Sequence, residues 1–331
     1  MKGIKVAIVG CGFMGRMHAN VYKGLEQVEI VAAIDHNDER LSEYAVKFGC
    51  TGTKDFSEGI DGADVVDICL PTHQHAETTV AAARAGKHVL CEKPMALSLD
   101  EADHMIAACK EAGVQLMIGH CIRFWPEYSL LKTIKDEGRL GRLLSINLTR
   151  YGAFPYWASD NWMADESKAG GGALDMHIHD TDYALYLLGK PDSINSFGSI
   201  DERGVGQIFT TMTFGEVVAH LEGGWNLPGS APFKMAFRAI FEDGVVIMDG
   251  GPMTIYQGNR APISPEFPKM EAAGGGNLSD LGGYYHEIAY FLEAVRTGRP
   301  LEIVTPETSR ASLETTLEEI RQVKERQRRE R

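Results

Sequence analysis

The feature that most constrains the fold is an alternation of short apolar runs with helical patterns over the first 120 or so residues. Such runs predict strands that are covered on both faces. Between them lie amphipathic stretches, one of which, residues 98–113, opens with Ser98 and Glu101 in capping-box spacing and ends at Gly113. The pattern predicts an α/β domain with a doubly wound parallel sheet over residues 1–121. Its five predicted strands are KVAIVG, VEIVAAID, DVVDICLP, HVLCEKP and VQLMIGH.

From residue 122 the pattern changes to a few helices followed by strands of period two. A chain of 331 residues exceeds one ordinary core, so we predict a second, α+β domain over residues 122–331. Its large, mainly antiparallel sheet should be covered by helices on one face, and residues 284–297 and 305–328 should form closing helices. Because the other sheet face needs a partner, we expect a homodimer or homotetramer through this sheet.

Composition excludes several classes of partner. The formal net charge is −13, which disfavours nucleic acid, and no run of about 18 apolar residues could span a membrane. The basic C-terminal run KERQRRER contains glutamates and ends a helix, which is typical of a solvated face. The six cysteines include no C-x-x-C pair, which indicates reduced, buried thiols and a cytoplasmic location.

A glycine-rich motif between a strand and a helix predicts a dinucleotide site. In VAIVGCGFMGRMHANVY, Gly10, Gly12 and Gly15 allow a tight turn and let backbone N–H groups approach a pyrophosphate. The alternative is a tight turn without a ligand. Asp35, twenty residues beyond Gly15, suits the ribose hydroxyls of NAD and would repel the extra phosphate of NADP, although His36 and Arg40 could soften that repulsion. We therefore predict a Rossmann domain that prefers NAD.

A second set of motifs carries a resemblance to a known family. The run AGKHVLCEKP, with Glu92, Lys93 and Pro94, and the glycine-rich run into Asp175-x-x-x-His179-x-x-Asp182 are its most specific parts. Together with the glycine motif, Pro71 and His75, they resemble the Gfo/Idh/MocA oxidoreductases over nearly the whole chain, and most of all the inositol dehydrogenases. The resemblance implies that the Lys93–Pro94 bond is cis.

The chemistry of these residues suits oxidation of a secondary alcohol. Asp175 and His179 are four apart on a predicted helix and share one face. Neutral histidine can take the hydroxyl proton while hydride leaves the carbon, so His179 is the predicted base. Asp175 would orient its ring, and the Lys93 ammonium, at the carboxyl edge of its strand, would stabilise the reacting oxygen. Members of the family with this Lys, Asp and His use them in these roles.

Two residues of this segment stay open. His177 stands where the family commonly has a small residue, so it is either an extra polar group in the pocket or a helix-start histidine satisfied by the backbone. Asp182 either contacts substrate or supports the structure. A metal site built on His177, His179 and the aspartates is a third, less favoured alternative, because metal-dependent hydrolases usually carry His-x-His on a strand.

Further candidate residues follow from matches to the family pattern. His75 is expected near the nicotinamide or as a helix cap, and Arg123, Trp162 and Tyr284 near the substrate or in the core. The predicted cofactor-binding set is Gly10, Gly12, Phe13, Met14, Gly15, Asp35, Arg40, Leu70, Pro71, Thr72, His75, Glu92 and Lys93. The predicted substrate-binding set is Lys93, Arg123, Trp162, Asp175, His179 and Tyr284.

These expectations combine into one function. We predict an NAD-dependent dehydrogenase that oxidises a secondary hydroxyl of a cyclitol or sugar ring. The alternatives are a keto-sugar reductase, a nucleotide-sugar dehydrogenase and a non-catalytic NAD-bound sensor. Because no large basic cluster is evident for a phosphate tail, unphosphorylated polyols are favoured.

Overall fold

The computed structural model describes residues 3–156, 158–268 and 282–330. Trp157 lies outside these ranges; it belongs to the aromatic-rich segment YGAFPYWASDNWMAD, which also contains Trp162. The described residues divide into two compact units, the first made of residues 3–124, 158–162 and 282–310 and the second of the remaining described residues. The sequence division at 121/122 did not foresee that residues 282–310 pack with the first unit.

The first unit is built on a six-stranded parallel sheet of order β3-β2-β1-β4-β5-β6. This confirms the predicted doubly wound sheet. Its strands are β1 (Ile4–Val9), β2 (Val28–Ile34), β3 (Thr51–Thr53), β4 (Val65–Ile68), β5 (His88–Glu92) and β6 (Leu116–Gly119). The strand missing from the prediction, β3, is a three-residue edge strand with no apolar side chain, so no hydrophobic period marks it.

Helices follow the strands of this sheet and begin where the sequence supplies caps. Ser98 and Glu101 form the predicted capping box, and Gly113 ends the same helix in the left-handed region. The helices are α1 (Phe13–Gly24), α2 (Asp38–Phe48), α3 (Phe56–Ile60), α4 (His75–Arg84), α5 (Leu99–Ala112) and α9 (Gly282–Thr297).

The second unit contains a seven-stranded sheet of order β13-β12-β11-β7-β10-β9-β8. All neighbours are antiparallel except β7 and β10, so the predicted mainly antiparallel sheet is confirmed. The strands are β7 (Leu143–Ala153), β8 (Ser193–Asp201), β9 (Gly204–Phe214), β10 (Val217–Leu227), β11 (Lys234–Phe241), β12 (Gly244–Asp249) and β13 (Thr254–Gln257).

Helical segments lie against β7, β9 and β10 and bury one face of this sheet. Its core is aromatic, with Tyr128 in edge contact with Tyr183 at 4.8 Å and Phe237 at 5.0 Å between ring centroids. The helices are α6 (Pro126–Asp136), α7 (Glu166–Ala169), α8 (Ile178–Leu188) and α10 (Pro306–Glu330), which begins in the first unit. A π-helix, Ala173–His177, leads directly into α8. Among the described residues, no helix combines the length and the apolar character needed to cross a bilayer.

Candidate active site

The turn between β1 and α1 requires glycine at two of its three motif positions. Gly10 has φ +95°, and a Cβ there would lie 2.6 Å from the carbonyl oxygen of Cys69. A Cβ on Gly15 would lie 2.0 Å from the carbonyl oxygen of Gly10, which no side chain could relieve. The first turn of α1 therefore packs directly on the loop that precedes it.

Gly12 differs from its two neighbours in the motif, because a Cβ there would meet nothing within 4 Å. It is the N-cap of α1 and provides no side-chain cap for the helix, which begins at Phe13 and Met14. A helix N-terminus that faces open space without a capping side chain suits an anion such as a pyrophosphate. The turn therefore fits the phosphates of a dinucleotide.

Asp35 follows β2 directly and is anchored by backbone N–H groups. Its Oδ2 accepts a hydrogen bond from the N–H of Cys11 at 2.8 Å, and its Oδ1 accepts one from Asn37 at 2.9 Å. Arg40 Nη1 lies 3.4 Å from Oδ2, and His36 Nδ1 lies 3.5 Å from Oδ1. The carboxylate is thus held beside the glycine-rich turn with two basic groups next to it.

The ends of β4 and β5 are braced by His75. Its Nδ1 lies 2.9 Å from the carbonyl oxygen of Pro94, and its Nε2 lies 2.8 Å from that of Leu70. Burial lowers the pKa of His75, so the ring is neutral at pH 7 and donates to one of the two carbonyls at a time. Thr72 is buried beside it, while Leu70 and Pro71 remain half-buried. His75 therefore fixes the segment that leads into α4 against the segment that follows Lys93.

Lys93 stands at the carboxyl end of β5, as the sequence predicts. It is half-buried, and the bond to Pro94 is cis, as the resemblance implies. Its backbone N–H donates to Glu92 Oε2 at 3.1 Å, and Glu92 itself is buried. Burial opposes the charge on Glu92, but hydrogen bonding and attraction to His18, together with Lys93 and His75, lower its pKa. Glu92 is therefore ionised beside Lys93.

The structure adds a histidine that sequence reasoning missed. His18, on α1, is fully buried and lies between Asp67 at the end of β4 and Glu92 at the end of β5. Its Nδ1 is 2.9 Å from Asp67 Oδ2, and its Nε2 is 3.0 Å from Glu92 Oε1. The available indication in the sequence was its position three residues after Gly15, in the first turns of the helix that follows the glycine motif.

In the second unit the three glycines seat a π-helix against the sheet. Gly170 and Gly171 have φ of +74° and +82°, and a Cβ on Gly172 would lie 2.8 Å from the carbonyl oxygen of Gly206. The π-helix that follows carries Asp175, and the first turn of α8 carries His179. π-Helical turns are rare and occur often at functional sites. Asp175 is 8 % exposed and His179 is half-buried, whereas His177 is fully buried.

His177 is neither a pocket residue nor a backbone-satisfied helix start. Its Nε2 lies 2.9 Å from Glu319 Oε1, and Thr181 donates to the other oxygen of Glu319 at 2.8 Å. A Cβ on Gly223 would lie 2.6 Å from His177 Nδ1, so the ring packs directly on the backbone of β10. His177 thus connects the π-helix to α10.

Asp182 supports the structure of the same region. It is fully buried and accepts a hydrogen bond from Ser312 Oγ at 2.7 Å. Of the described residues, His18, Asp67 and Cys69 form the one set of three that is close enough to hold a metal ion, and neither His177 nor His179 belongs to it. The contacts of His177 and Asp182 are therefore those of structural supports.

The remaining predicted substrate residues lie in different surroundings. Arg123 is buried, and its Nη1 donates to the carbonyl of Ile303 at 2.6 Å and lies 3.2 Å from Thr308 Oγ1. Tyr284 is 9 % exposed, with its ring centroid 6.0 Å from that of His18. Trp162 is half-buried in a 3₁₀ turn. Their substrate-binding roles stay predictions.

Two family models match this chain. One is described as an oxidoreductase family with an NAD-binding Rossmann fold and matches residues 4–120. The other is described as the Gfo/Idh/MocA C-terminal domain and matches residues 128–247. Together the two matches include every strand of the first unit and most of the second sheet.

Curated relatives match over part of their length. Levoglucosan dehydrogenase of Pseudarthrobacter phenanthrenivorans is 36% identical over 214 residues, 59% of this chain and 54% of the relative. Myo-inositol 2-dehydrogenase of Thermotoga maritima is 34% identical over 191 residues, 56% of this chain and 55% of the relative. The matches thus span about half the length of these relatives.

Solved structures are similar over the whole described fold. An aldose-aldose oxidoreductase from Caulobacter crescentus complexed with glycerol has a TM-score of 0.83 at 25% identity and covers 98% of each chain. A levoglucosan dehydrogenase in complex with NADH and levoglucosan has a TM-score of 0.80 at 25% identity, covering 96% of this chain and 97% of that one.

Proposed function

Because the chain belongs to the Gfo/Idh/MocA family of oxidoreductases, we propose that it transfers hydride between a nicotinamide cofactor and a secondary hydroxyl of a sugar or cyclitol ring. The observation that carries this proposal is the complete set of proposed catalytic groups, Lys93, Asp175 and His179, alongside a glycine-rich turn shaped for a dinucleotide. A non-catalytic NAD-bound sensor would have no need of all three.

The proposed cofactor is NAD in preference to NADP. NAD, when bound, supplies the hydride acceptor. Gly12 and the N-terminus of α1 would receive its pyrophosphate, and Asp35 would accept hydrogen bonds from the adenosine ribose. Asp35 keeps acceptor capacity beyond its bonds to Cys11 and Asn37, since each carboxylate oxygen has two lone pairs. A 2′-phosphate would meet this negative charge.

The proposed chemistry assigns a separate role to each of three side chains. His179 would take the hydroxyl proton of the substrate as hydride leaves the same carbon, and Asp175 would stabilise the imidazolium that results. The Lys93 ammonium would donate a hydrogen bond to the substrate oxygen and favour the negative charge that develops on it. This assignment requires all three groups to act on one alcohol, and a general base of this kind contributes on the order of 10² to 10⁴ in rate.

The proposed substrate is an unphosphorylated cyclic polyol, either a cyclitol or a sugar. The relatives named above act, by their names, on levoglucosan and on myo-inositol, both of which are cyclic polyols. The acidic chain offers little to a phosphate tail, which disfavours nucleotide sugars.

A panel assay tests this proposal. Purified protein is mixed with NAD or NADP and a set of inositols, hexoses and anhydrosugars, and nicotinamide absorbance is followed; the reverse reaction is tested with NADH and the corresponding ketones. We expect turnover with at least one unphosphorylated ring alcohol. Tight nucleotide binding without turnover would favour the sensor instead. Nucleotide-independent activity that chelators abolish would favour a metal hydrolase.

We further propose that the chain self-associates through the sheet face turned away from the helices. Alternating residues of β9, β10 and β11 leave Phe209, Val218 and Ile240 between 37% and 41% exposed, beside polar neighbours such as His220 and Arg238. A mixed face of this kind suits a second copy of the chain better than bulk water. Sedimentation should show a dimer or larger, and Val218→Glu with Ile240→Lys should shift it toward monomer; a wild-type monomer would contradict the proposal.

A further inference from the structure

A buried network links the glycine-rich turn to Lys93 inside the first unit. His18 lies one turn into α1 and contacts Asp67 on one side and Glu92 on the other. Glu92 Oε1 lies against His18, whereas Glu92 Oε2 accepts the backbone N–H of Lys93. Both oxygens of the carboxylate are therefore engaged, one by the imidazole and one by the backbone of the proposed catalytic lysine.

The end of β6 is shaped to leave room for this carboxylate. A Cβ on Gly119 would lie 3.3 Å from Glu92 Oε1 and 3.5 Å from Glu287 Oε1. Tyr284, one turn before Glu287 on α9, stacks at an angle near the His18 ring. Glu92 thus lies in a closed environment that restricts its rotamers, and His18 is the base that contacts it there.

Two carboxylates contact His18, those of Asp67 from β4 and Glu92 from β5. Cys69, after β4, and Tyr284, on α9, also lie near the ring, and burial raises the pKa of both groups. Burial disfavours the imidazolium, but attraction and hydrogen bonding to Asp67 and Cys69 outweigh burial and raise the pKa of His18 well above its usual value.

We propose that His18 is a positioning residue for the hydride-transfer site, a buried side chain that holds Glu92 in place and, through Glu92, the backbone that presents Lys93. The inference rests on the proposed function, because Lys93 has a reaction to position only if the chain is a dehydrogenase. A buried ion pair is weak support for stability, since apolar residues of similar volume often replace it without loss. What this pair supplies is a fixed location for Glu92 beside Lys93.

The kinetic test compares His18→Gln in two backgrounds. In the wild type, we expect kcat to fall by about 10- to 100-fold, because misplacement of a catalytic group by about 1 Å costs on this scale, while NAD affinity changes less than about threefold. In a Lys93→Met background, His18→Gln should cause little further loss, since His18 acts through Lys93. A loss of the same factor in both backgrounds would overturn the proposal and leave His18 a purely structural residue.

His88→Gln is the matched control. His88 begins the same strand, β5, is half-buried, and accepts a hydrogen bond from the N–H of Gln115 at its Nδ1. It lies at the opposite end of the strand from Lys93, so its substitution should leave kcat within about twofold of wild type while testing for general damage to β5. A fall in kcat as large as that of His18→Gln would show that any loosening of β5 is sufficient.

A second readout does not depend on activity. Nitrogen NMR of histidine-labelled wild type should show both ring nitrogens of His18 protonated at pH 7.5, and Glu92→Gln should lower the pH at which that proton is lost. This outcome holds even if the substrate panel fails, so the two proposals fail separately. A neutral His18 ring, or one zinc ion per chain that Asp67→Asn removes, would overturn the positioning role.

Discussion

Each unit of the molecule supports a proposed catalytic residue with a buried histidine–glutamate pair, and the two pairs differ in their partners. In the first unit His18 contacts two carboxylates, those of Asp67 and Glu92, and Glu92 in turn binds the backbone of Lys93. In the second unit His177 contacts one carboxylate, that of Glu319. Burial disfavours the charged form of His18, but Asp67 and Cys69 raise its pKa, whereas the contact of His177 with Glu319 joins the π-helix to α10.

The two pairs also differ in how directly they contact the proposed catalytic residues. The His18 pair ends on the peptide group of the catalytic candidate itself, so a change in it reaches Lys93 through one ion-pair contact and one hydrogen bond. The His177 pair ties the π-helix to α10. We therefore expect the first pair to control rate and the second to control stability.

The largest effect on kcat should come from substitution of the proposed catalytic residues, His179 in the second unit and Lys93 in the first. His179→Ala should lower kcat by about 10² to 10⁴, since it removes the general base, while the Kd for NAD changes little. Lys93→Met should also lower kcat, because no ammonium then remains to stabilise the negative charge that develops on the substrate oxygen. Steady-state kinetics with a nucleotide-binding titration provide the check. Equal losses in kcat and in NAD affinity for His179→Ala would remove the base assignment.

The next effect is on stability in the second unit. His177→Leu should lower the free energy of unfolding by about 3–5 kcal/mol, because it leaves the fully buried Glu319 without its imidazole partner. His177→Gln keeps an N–H donor and should recover most of that loss. Urea unfolding of the three proteins measures the difference. If the Leu and Gln variants were equally unstable, packing against Gly223 would be the main contribution of His177.

The pH dependence of stability should separate His18 from His88, both of which lie in the first unit. The folded pKa of His18 is raised above its unfolded value of about 6.5, so the stabilisation is complete below about pH 6.5 and is lost as pH rises through the folded pKa. The advantage of wild type over His18→Gln should therefore shrink with rising pH, by at most about 1.4 kcal/mol per pH unit for one proton.

His88 gives the control of opposite sign. Burial lowers its pKa, so the neutral ring is favoured in the folded state, and stability from this source rises with pH up to about 6.5 and is constant above it. Unfolding free energies between about pH 7.5 and 9 should thus show a slope for wild type minus His18→Gln and none for wild type minus His88→Gln. Parallel curves for all three proteins would mean that His18 is neutral in the folded state.

Local sequence predicts the positions of the proposed cofactor and lysine residues of the first unit, but it does not predict the buried histidine–glutamate pairs of either unit. The glycine turn, Asp35 and Lys93 follow from strand ends and spacing, because the carboxyl ends of parallel strands meet at one edge. His18 and Glu319 do not, since each is paired with residues tens to more than a hundred positions away along the chain. A hydrophobic period places such a residue on a buried face without naming its polar partner.

The π-helix shows a second reason why the site was only partly predictable. Spacing placed Asp175 and His179 on one face under the assumption of an α-helix, and the segment through His177 is π-helical. We attribute this geometry to tertiary contacts. Gly172 lets the backbone approach β9, and Gly223 lets the His177 ring approach β10, at distances that a Cβ would forbid. The glycines were visible in the sequence, but their contacts with β9 and β10 were not.

The smallest expected effect is on the choice between NAD and NADP, which we assign to Asp35 after β2. Asp35→Ser should reduce the preference for NAD over NADP by about tenfold, equivalent to about 1.4 kcal/mol, because the repulsion of a 2′-phosphate is removed. Arg40, 3.4 Å from Asp35 Oδ2, then becomes available to that phosphate, so Arg40→Ala in the Asp35→Ser background should restore part of the discrimination. The ratio of kcat/KM values for the two cofactors is the measurement. An unchanged ratio in Asp35→Ser would assign the preference to another residue. Asp35 also accepts a hydrogen bond from the N–H of Cys11, so equally weaker binding of both cofactors would mean that it stabilises the glycine-rich turn rather than binding the ribose.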